Sequence, residues 1–276
     1  MIKLITIDVD GTLVTSTKRL TKKTKNSIER AKKAGLYIAL ASGRPFSGMH
    51  KYLRQLDLIG DHYFSVTQNG AYIHQNDTGK AIIKNCMNAD DLSFVDKRIR
   101  PFGLQMSYMD SKFFYTRHKL PNIYTALDSI VAKRRLRYMP YDRWPSNKTF
   151  GRFLCMGPSR NVKKLQFNVP KELSERFYCV RTERFLFEVI SKNTNKGTGV
   201  MLLADKLGFK PEEVMAIGNE LNDLPMLEYA GLSVAMANSN ENVIKVADYT
   251  TKSNNNDGVS FVIDKLLENN MMDFTK

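Results

Sequence analysis

Apolar runs and amphipathic segments alternate along the first part of the chain. The runs Leu4–Ile7 and Leu36–Ala41 are short and mostly apolar, and each is followed by polar residues, which is typical of buried strands. Between them, Thr21 is placed to cap a helix that has Ile28 and Ala31 on its apolar side. A strand, a helix and a second strand in this order predict a βαβ unit of a parallel sheet.

Strand and helix patterns of the same kind return towards the C-terminus. Glu213–Ile217 and Leu232–Ala235 have the pattern of strands, and Thr198–Leu207 has the pattern of a helix. The segment between differs, because its predicted strands follow one another as hairpins, such as Arg176–Arg181 with Arg184–Ile190. We therefore predict an α/β protein with a Rossmann-like parallel-sheet core from residues 1–82 and 191–276. An inserted α+β domain would comprise residues 83–190.

Length and composition are compatible with this organisation. The chain has 276 residues, of which 42% are hydrophobic, enough for one large or two smaller cores. No apolar stretch reaches the roughly 18 residues of a transmembrane helix, and no signal-peptide pattern precedes the first strand. The cysteines Cys86, Cys155 and Cys179 are widely spaced, which argues against a disulfide framework or a zinc site. We expect a cytoplasmic protein.

The net charge of +14 is unevenly distributed along the chain. Residues 84–190 contain 21 Lys and Arg against 10 Asp and Glu, a net charge of +11, whereas the remainder contains 21 against 18, a net charge of +3. A basic surface of this kind attracts polyanions or phosphorylated small molecules. The alternative is a solvated basic face that binds no ligand.

Two carboxylates follow the first predicted strand. Asp8 and Asp10 lie where a parallel strand leaves its sheet, which is the usual place for a ligand crevice in an open α/β fold. Two acids this close repel each other unless a cation neutralises them or one is protonated. Asp8 could attack a phosphoryl group while Asp10 transfers protons, with a hard cation such as Mg²⁺ bound by oxygen ligands. The alternative is an acidic turn that caps the next element.

Polar groups also follow two other predicted elements. Ser42 and Gly43 fit a phosphate-binding turn at the end of the second strand, although an ordinary strand-to-helix turn would look the same. Lys196 lies at a helix N-terminus, where the helix dipole disfavours a cation. This position is explained if an anion or the acidic cluster lies opposite. The alternative is a solvent-exposed lysine in a loop.

Four strings of residues together resemble a known family. They are D-V-D-G-T-L at 8–13, A-S-G-R at 41–44, N-K-G at 195–197 and G-N-E-L-N-D at 218–223. In this order they resemble the four motifs of the haloacid dehalogenase-like hydrolases. The likeness is closest to the Cof-type, sugar-phosphatase-like branch, which has an inserted α/β cap of the C2 type. The family's fourth motif reads G-D-x-x-N-D, so Asn219 replaces its metal-binding Asp. An amide oxygen can bind Mg²⁺ but brings no charge, which should lower metal affinity unless Glu220 or Asp223 compensates.

The resemblance implies an Mg²⁺-dependent phosphatase that hydrolyses phosphomonoesters, such as sugar phosphates, through an aspartyl-phosphate. Asp8 would be the nucleophile, Asp10 the general acid and base, and Lys196 the neutralising cation. The phosphate would be held by Val9, Ser42, Gly43, Lys196 and Asn222, and the metal by Asp8, Asp10 and Asn219, with Glu220 and Asp223 as further candidates. The partner would be a phosphorylated small molecule. The residues themselves argue against a membrane or nucleic-acid partner, because no apolar span is long enough and the inserted segment lacks aromatic–basic interleaving and a helix-turn-helix pattern.

Two other functions are compatible with the sequence. A phosphomutase of the same superfamily would return the phosphoryl group to a second hydroxyl. A non-catalytic, basic binding or regulatory protein is favoured by Asn219, because a weakened metal site is compatible with lost catalysis. The presence of Asp8, Asp10, Ser42 and Lys196 argues against the second alternative.

Overall fold

The computed structural model describes residues 1–110, 113–131, 135–145 and 147–272. The chain divides into two compact units. The core unit comprises Met1–Ile83 and Asn195–Lys276, and the inserted unit comprises Lys84–Thr194. The first division lies one residue after the predicted boundary at 82/83, and the second lies four residues after the predicted boundary at 190/191.

Strands and helices are numbered in chain order. The first part of the core unit has β1 (Leu4–Asp8), α1 (Lys22–Lys33), β2 (Tyr37–Ala41), α2 (Phe46–Gln55), β3 (Phe64–Thr67), β4 (Tyr72–Gln75) and β5 (Ala81–Lys84). The inserted unit has β6 (Met87–Asn88), α3 (Ala89–Ile99), β7 (Gln105–Met109), β8 (Phe114–Thr116), α4 (Ile123–Val131), β9 (Leu136–Tyr138), β10 (Thr149–Phe150), β11 (Arg152–Met156), α5 (Ser159–Phe167), α6 (Lys171–Arg176), β12 (Phe177–Glu183) and β13 (Leu186–Ser191). The core unit resumes with α7 (Lys196–Leu207), β14 (Val214–Gly218), α8 (Leu224–Tyr229), β15 (Leu232–Ala235), α9 (Glu241–Val246), β16 (Tyr249–Thr250) and α10 (Gly258–Glu268).

The core unit is built on a sheet with the strand order β16-β15-β14-β1-β2-β3-β4-β5. Strand β1 pairs in parallel with β14 on one side and β2 on the other. Strand β4 runs antiparallel to β3. Asp8 lies opposite Ala41, and Ile7 lies opposite both Leu40 and Ile217. The three central strands therefore end level, so the residues after them meet at one edge of the sheet.

Strand β1 is buried on both faces, as expected for the centre of a parallel sheet. Ile5 packs on one face in a cluster that includes Ile28 of α1 and Val262 of α10. Leu4 packs on the other face in a cluster that includes Val200 of α7. Helices thus cover both faces, and the predicted α/β fold class with a Rossmann-like core is confirmed.

The inserted unit has its own sheet with the order β12-β13-β11-β7-β8-β9 and its own apolar cluster. The predicted hairpin is present as β12 and β13, with a register irregularity between Arg181 and Glu183. The pairing is antiparallel except between β8 and β9, which run parallel. Within the described part of the chain, no helix has the length and apolarity needed to cross a membrane.

The start of α7 is packed against a glycine. Gly70, in the turn between β3 and β4, has a φ of +91°, and a Cβ there would lie 2.0 Å from the carbonyl oxygen of Asn195. Asn195 caps α7, because its side chain accepts a hydrogen bond from the Thr198 N–H. Gly70 therefore permits the close approach that places Lys196, the first residue of α7.

We predict that Gly70→Ala destabilises the protein more than Gly35→Ala. Gly35 has a similar φ of +87° but nothing within 4 Å of the added Cβ. Both variants acquire the left-handed strain of roughly 1–2 kcal/mol, and only Gly70→Ala adds an overpacking cost of about 1–3 kcal/mol. Urea unfolding of both variants measures the difference. Equal losses would show that the Gly70–Asn195 approach imposes no constraint.

Candidate active site

A lysine and two carboxylates are buried together at the carboxyl edge of the core sheet. Lys196 Nζ lies 2.6 Å from Asp8 Oδ1 and 2.5 Å from Asp223 Oδ1. Asp8 ends β1, Lys196 begins α7, and Asp223 follows β14, so three separate segments supply the cluster. The lysine is only 1% exposed and Asp223 is fully buried. Lys196 is thus paired with buried anions, and the alternative of a solvent-exposed loop lysine is wrong.

The electrostatics of this cluster favour a charged lysine. Burial acts to lower the pKa of Lys196, but the attraction of Asp8 and Asp223 outweighs it, and the pKa is raised. Burial, followed by repulsion from Asp223, raises the pKa of Asp8 to about 7 despite the lysine. One ammonium does not offset two carboxylates in a buried cluster. The cluster therefore favours additional positive charge next to Asp8.

Both carboxylate oxygens of Asp223 have donors. Oδ1 accepts a hydrogen bond from Lys196, and Oδ2 accepts from the backbone N–H groups of Asn219 and Glu220 at 2.8 and 3.0 Å. The side chain makes no capping hydrogen bond to α8, but its bond from the Glu220 N–H is part of a capping box at the 3-10 turn Leu221–Asp223, which precedes α8. Asp223 therefore contacts both Lys196 and the loop after β14, and its suggested role as a metal ligand stays a prediction.

Asp10 is paired with two cations that the motif analysis did not assign. Arg44 Nε lies 2.5 Å from Asp10 Oδ2 and Arg44 Nη2 lies 2.7 Å from Oδ1, while Lys18 Nζ lies 2.6 Å from Oδ1. The hydrogen bonds from Arg44, with a smaller effect of Lys18, lower the pKa of Asp10 to about 2. Asp10 is therefore a carboxylate in this arrangement. Arg44 is part of the A-S-G-R string, so its place in the site could have been predicted from that motif. Lys18 lies in a polar loop with no motif or periodic pattern that predicts a contact with Asp10.

Four of the five predicted phosphate-binding residues, all except Val9, line one cavity. The cavity has a volume of about 280 Å³ and is lined by Asp8, Asp10, Ser42, Gly43, Arg44, Lys196, Glu220 and Asn222. Ser42 is buried, and its Oγ accepts a hydrogen bond from the Arg44 N–H at 3.2 Å. Asn222 is exposed and donates a hydrogen bond to Asn69 Oδ1 at 3.0 Å. Val9 is buried after β1, and Glu220 is exposed at the cavity.

Two oxygen atoms and the Asn219 amide converge beside this cavity. The amide atom that faces them lies 3.3 Å from Asp8 Oδ2 and 2.9 Å from the backbone carbonyl oxygen of Asp10, and it is Oδ1 in one orientation of the amide and Nδ2 in the other. Neighbouring oxygens around Mg²⁺ lie about 2.9 Å apart, because Mg–O distances are about 2.05 Å in octahedral geometry. The donor types and spacing fit a hard cation. Among the residues that the structure describes, no group of three or more His, Cys, Asp and Glu side chains could hold a metal, so this set depends on an amide and a backbone carbonyl.

Comparison with known proteins identifies the family. The sequence model of the haloacid dehalogenase-like hydrolases matches residues 5–263. The chain belongs to the haloacid dehalogenase-like hydrolases. The family predicted from the four motifs is therefore confirmed, and with it the prediction of an enzyme.

Individual relatives agree with this assignment. A Bacillus subtilis protein named "Putative phosphatase YxeH" is 32% identical over 97% of this chain and 99% of its own length. The B. subtilis protein "5-amino-6-(5-phospho-D-ribitylamino)uracil phosphatase YcsE" is 26% identical over 95% of this chain and 94% of its own length. The crystal structure of a haloacid dehalogenase-like hydrolase from Bacteroides thetaiotaomicron has a TM-score of 0.79 and 26% identity, and the match covers 96% of this chain and all of that one.

We predict that Lys196→Met lowers the free energy of unfolding by about 3–5 kcal/mol, because it leaves two buried carboxylates without their cation. The raised pKa of Asp8 gives the loss a pH dependence. Protonated Asp8 is compatible with burial, so stability is retained at low pH and decreases as the pH rises through the pKa of Asp8. The loss should be smaller at pH 5 than at pH 8 by urea unfolding. Lys192→Met, at an exposed position, serves as the control; a loss of the same size in both variants would contradict the cluster's importance.

We predict that Arg44→Met raises the pKa of Asp10 towards its ordinary value. A depressed pKa contributes stability that is complete above the ordinary pKa of Asp and is lost as the pH falls towards 2. The stability difference between the parent protein and Arg44→Met should therefore be larger at pH 6 than at pH 3. The exposed Arg54→Met variant should show no such trend. A pH-independent difference for Arg44→Met would show that the guanidinium does not control Asp10.

Proposed function

We propose that this protein is a phosphatase that hydrolyses phosphomonoesters through a phosphoryl group carried covalently on Asp8. The observation that carries the proposal is the contact between Lys196 Nζ and Asp8 Oδ1 at 2.6 Å, at the wall of a cavity that Ser42 and Gly43 also line. A buried ammonium beside a carboxylate nucleophile can neutralise the phosphoryl oxygens as they approach it. The relatives named phosphatases support this assignment.

In the proposed first step, an Asp8 oxygen attacks the phosphorus atom and the ester P–O bond breaks. The leaving alkoxide takes a proton from Asp10, and an aspartyl-phosphate remains. Asp10 is a carboxylate while it is paired with Arg44 and Lys18. Its use as an acid therefore requires that substrate binding separates it from Arg44 and that it gains a proton.

In the proposed second step, Asp10 accepts a proton from a water molecule, and the water oxygen bonds to phosphorus. The P–O bond to Asp8 breaks, and inorganic phosphate leaves. Lys196, Ser42 and the backbone N–H groups of Val9 and Gly43 would hold the phosphate oxygens throughout. Asn222 would contact the same group from the exposed side of the cavity.

The cofactor proposed for this site is Mg²⁺. Asp8 Oδ2, the Asp10 carbonyl oxygen and Asn219 Oδ1 would hold it, because these oxygens already have the spacing of adjacent ligands. When bound, the cation supplies positive charge beside the phosphoryl oxygens and favours ionised Asp8. Asp8 Oδ1, which contacts Lys196, would be the attacking oxygen.

Phosphorylated sugars or polyols are the proposed substrates. The relative YcsE is named for 5-amino-6-(5-phospho-D-ribitylamino)uracil, in which the phosphate is on a ribityl chain. The excess of Lys and Arg in residues 84–190 favours substrates with further negative charge or several hydroxyl groups.

We predict that Asp8→Asn lowers the hydrolysis of p-nitrophenyl phosphate on the order of 10⁴-fold. The exposed Asp205→Asn variant on α7 makes the same chemical change outside the site and should retain activity.

The products distinguish a phosphatase from a phosphomutase. The parent protein should release inorganic phosphate and no isomerised sugar phosphate. Acid quenching during turnover should trap a hydroxylamine-labile phosphoryl group. Full activity of a contaminant-free Asp8→Asn preparation would refute the assignment of Asp8 as the nucleophile.

A further inference from the structure

The backbone of Asn219 is fixed more tightly than its side-chain amide. Its N–H donates to Asp223 Oδ2 at 2.8 Å, and its carbonyl oxygen accepts from the Asn240 N–H at 2.9 Å. The residue is only 4% exposed. The amide plane, in contrast, can be turned by 180° without changing its shape, which exchanges Oδ1 and Nδ2. The two orientations present opposite hydrogen-bonding groups to Asp8.

When Oδ1 points towards Asp8, this hydrogen-bond acceptor faces two other acceptor oxygens. Asp8 Oδ2 and the Asp10 carbonyl oxygen lie 3.3 and 2.9 Å away, and neither carries a proton for this oxygen while Asp8 is ionised. Only the Thr12 hydroxyl, at 2.8 Å, donates to it. Three oxygens at this spacing are stable together when a cation lies between them.

With Nδ2 towards Asp8, the same positions are satisfied without a cation. Nδ2 then donates across 2.9 Å to the Asp10 carbonyl oxygen and 3.3 Å to Asp8 Oδ2, and it lies 2.8 Å from Thr12 Oγ1, whose hydroxyl can rotate to accept. The turned orientation satisfies both ends of the amide. An NH₂ group therefore links the oxygens that a cation would otherwise link.

We propose that the Asn219 amide is an internal, reversible substitute for the cation at this site. In the metal-free protein Nδ2 bridges Asp8 and the Asp10 carbonyl, and on metal binding the amide turns and offers Oδ1. This inference rests on the proposed function for the identity of the cation, and it goes beyond it in assigning a metal-free state. The protein is consequently stable without metal, and the cation has to displace two internal hydrogen bonds when it binds.

An aspartate at position 219 could not act in this way. Both of its terminal atoms are oxygens, and it would add a third carboxylate to a buried cluster that contains Asp8, Asp223 and only one lysine. The metal-free form would then be destabilised by repulsion, and the cation would be bound more tightly. Replacing Asn by Asp therefore changes metal affinity and metal-free stability in opposite directions.

The test compares the full-length parent protein, Asn219→Asp and the control Asn256→Asp, which adds the same charge at an exposed position of the core unit. Mn²⁺ binding is measured from the electron paramagnetic resonance signal of free Mn²⁺, and the melting temperature is measured in EDTA and in Mn²⁺. We expect Asn219→Asp to bind Mn²⁺ on the order of tenfold more tightly or better, to melt below the parent in EDTA and to gain more from Mn²⁺. Asn256→Asp should match the parent in all three measurements.

A spectroscopic measurement follows the amide itself. The side-chain NH₂ resonances of Asn219, assigned by their absence in Asn219→Asp, should change on addition of Mg²⁺ to the parent protein. Unchanged resonances, or Mn²⁺ affinity and EDTA stability in Asn219→Asp equal to those of Asn256→Asp, would overturn the inference. Phosphatase activity is read separately. If no phosphomonoester is hydrolysed but the Mn²⁺ affinities differ as expected, the proposed phosphatase function is refuted. The role of the Asn219 amide at the cation site is then still supported.

Discussion

The arrangement of the candidate active site depends on one buried ammonium group that forms ion pairs with two carboxylates. Lys196 contacts Asp8 from β1 and Asp223 from the segment after β14, so it joins two strand ends to the start of α7. Removing Lys196 would leave two buried carboxylates without a cation, whereas removing either carboxylate would leave a balanced ion pair. The positions of the neighbouring elements follow from this requirement. Gly70 allows α7 to begin close enough for the lysine to reach, and the Asp223 carboxylate also fixes the loop that contains Asn219.

Much of the fold follows from the sequence, because the core strands are nearly continuous apolar runs. The predicted strands Leu4–Ile7, Leu36–Ala41 and Glu213–Ile217 correspond closely to β1, β2 and β14. Their patterns are clear because both faces of these strands are buried. The parallel pairing of β8 with β9 could not be predicted. Strand β9 has only three residues, two of them exposed, so its apolar pattern is too short to indicate a strand.

The positions of the main site residues at the ends of their elements were predictable from the sequence, but the pairings between them were not. Asp8, Asp10, Ser42 and Lys196 follow from their places at element ends, because parallel strands bring those ends together. The pair of Asp10 with Arg44 and Lys18 depends on a loop in which Lys18 itself has a φ of 60°, and no periodic pattern reports such a conformation. Asp223 illustrates the same limit, because a carboxylate before a helix resembles a cap until its partners are known.

We propose that Lys196, Asp8 and the oxygens near Asn219 form one phosphoryl-transfer site. The decisive measurement is a crystal structure of the protein grown with Mg²⁺ and beryllium fluoride, which mimics a phosphoryl group on a carboxylate. We expect beryllium bonded to an Asp8 oxygen, Lys196 in contact with a fluoride, and Mg²⁺ between Asp8, the Asp10 carbonyl and Asn219. Beryllium fluoride bound away from Asp8, or Mg²⁺ bound elsewhere with Asp8 unmodified, would contradict it.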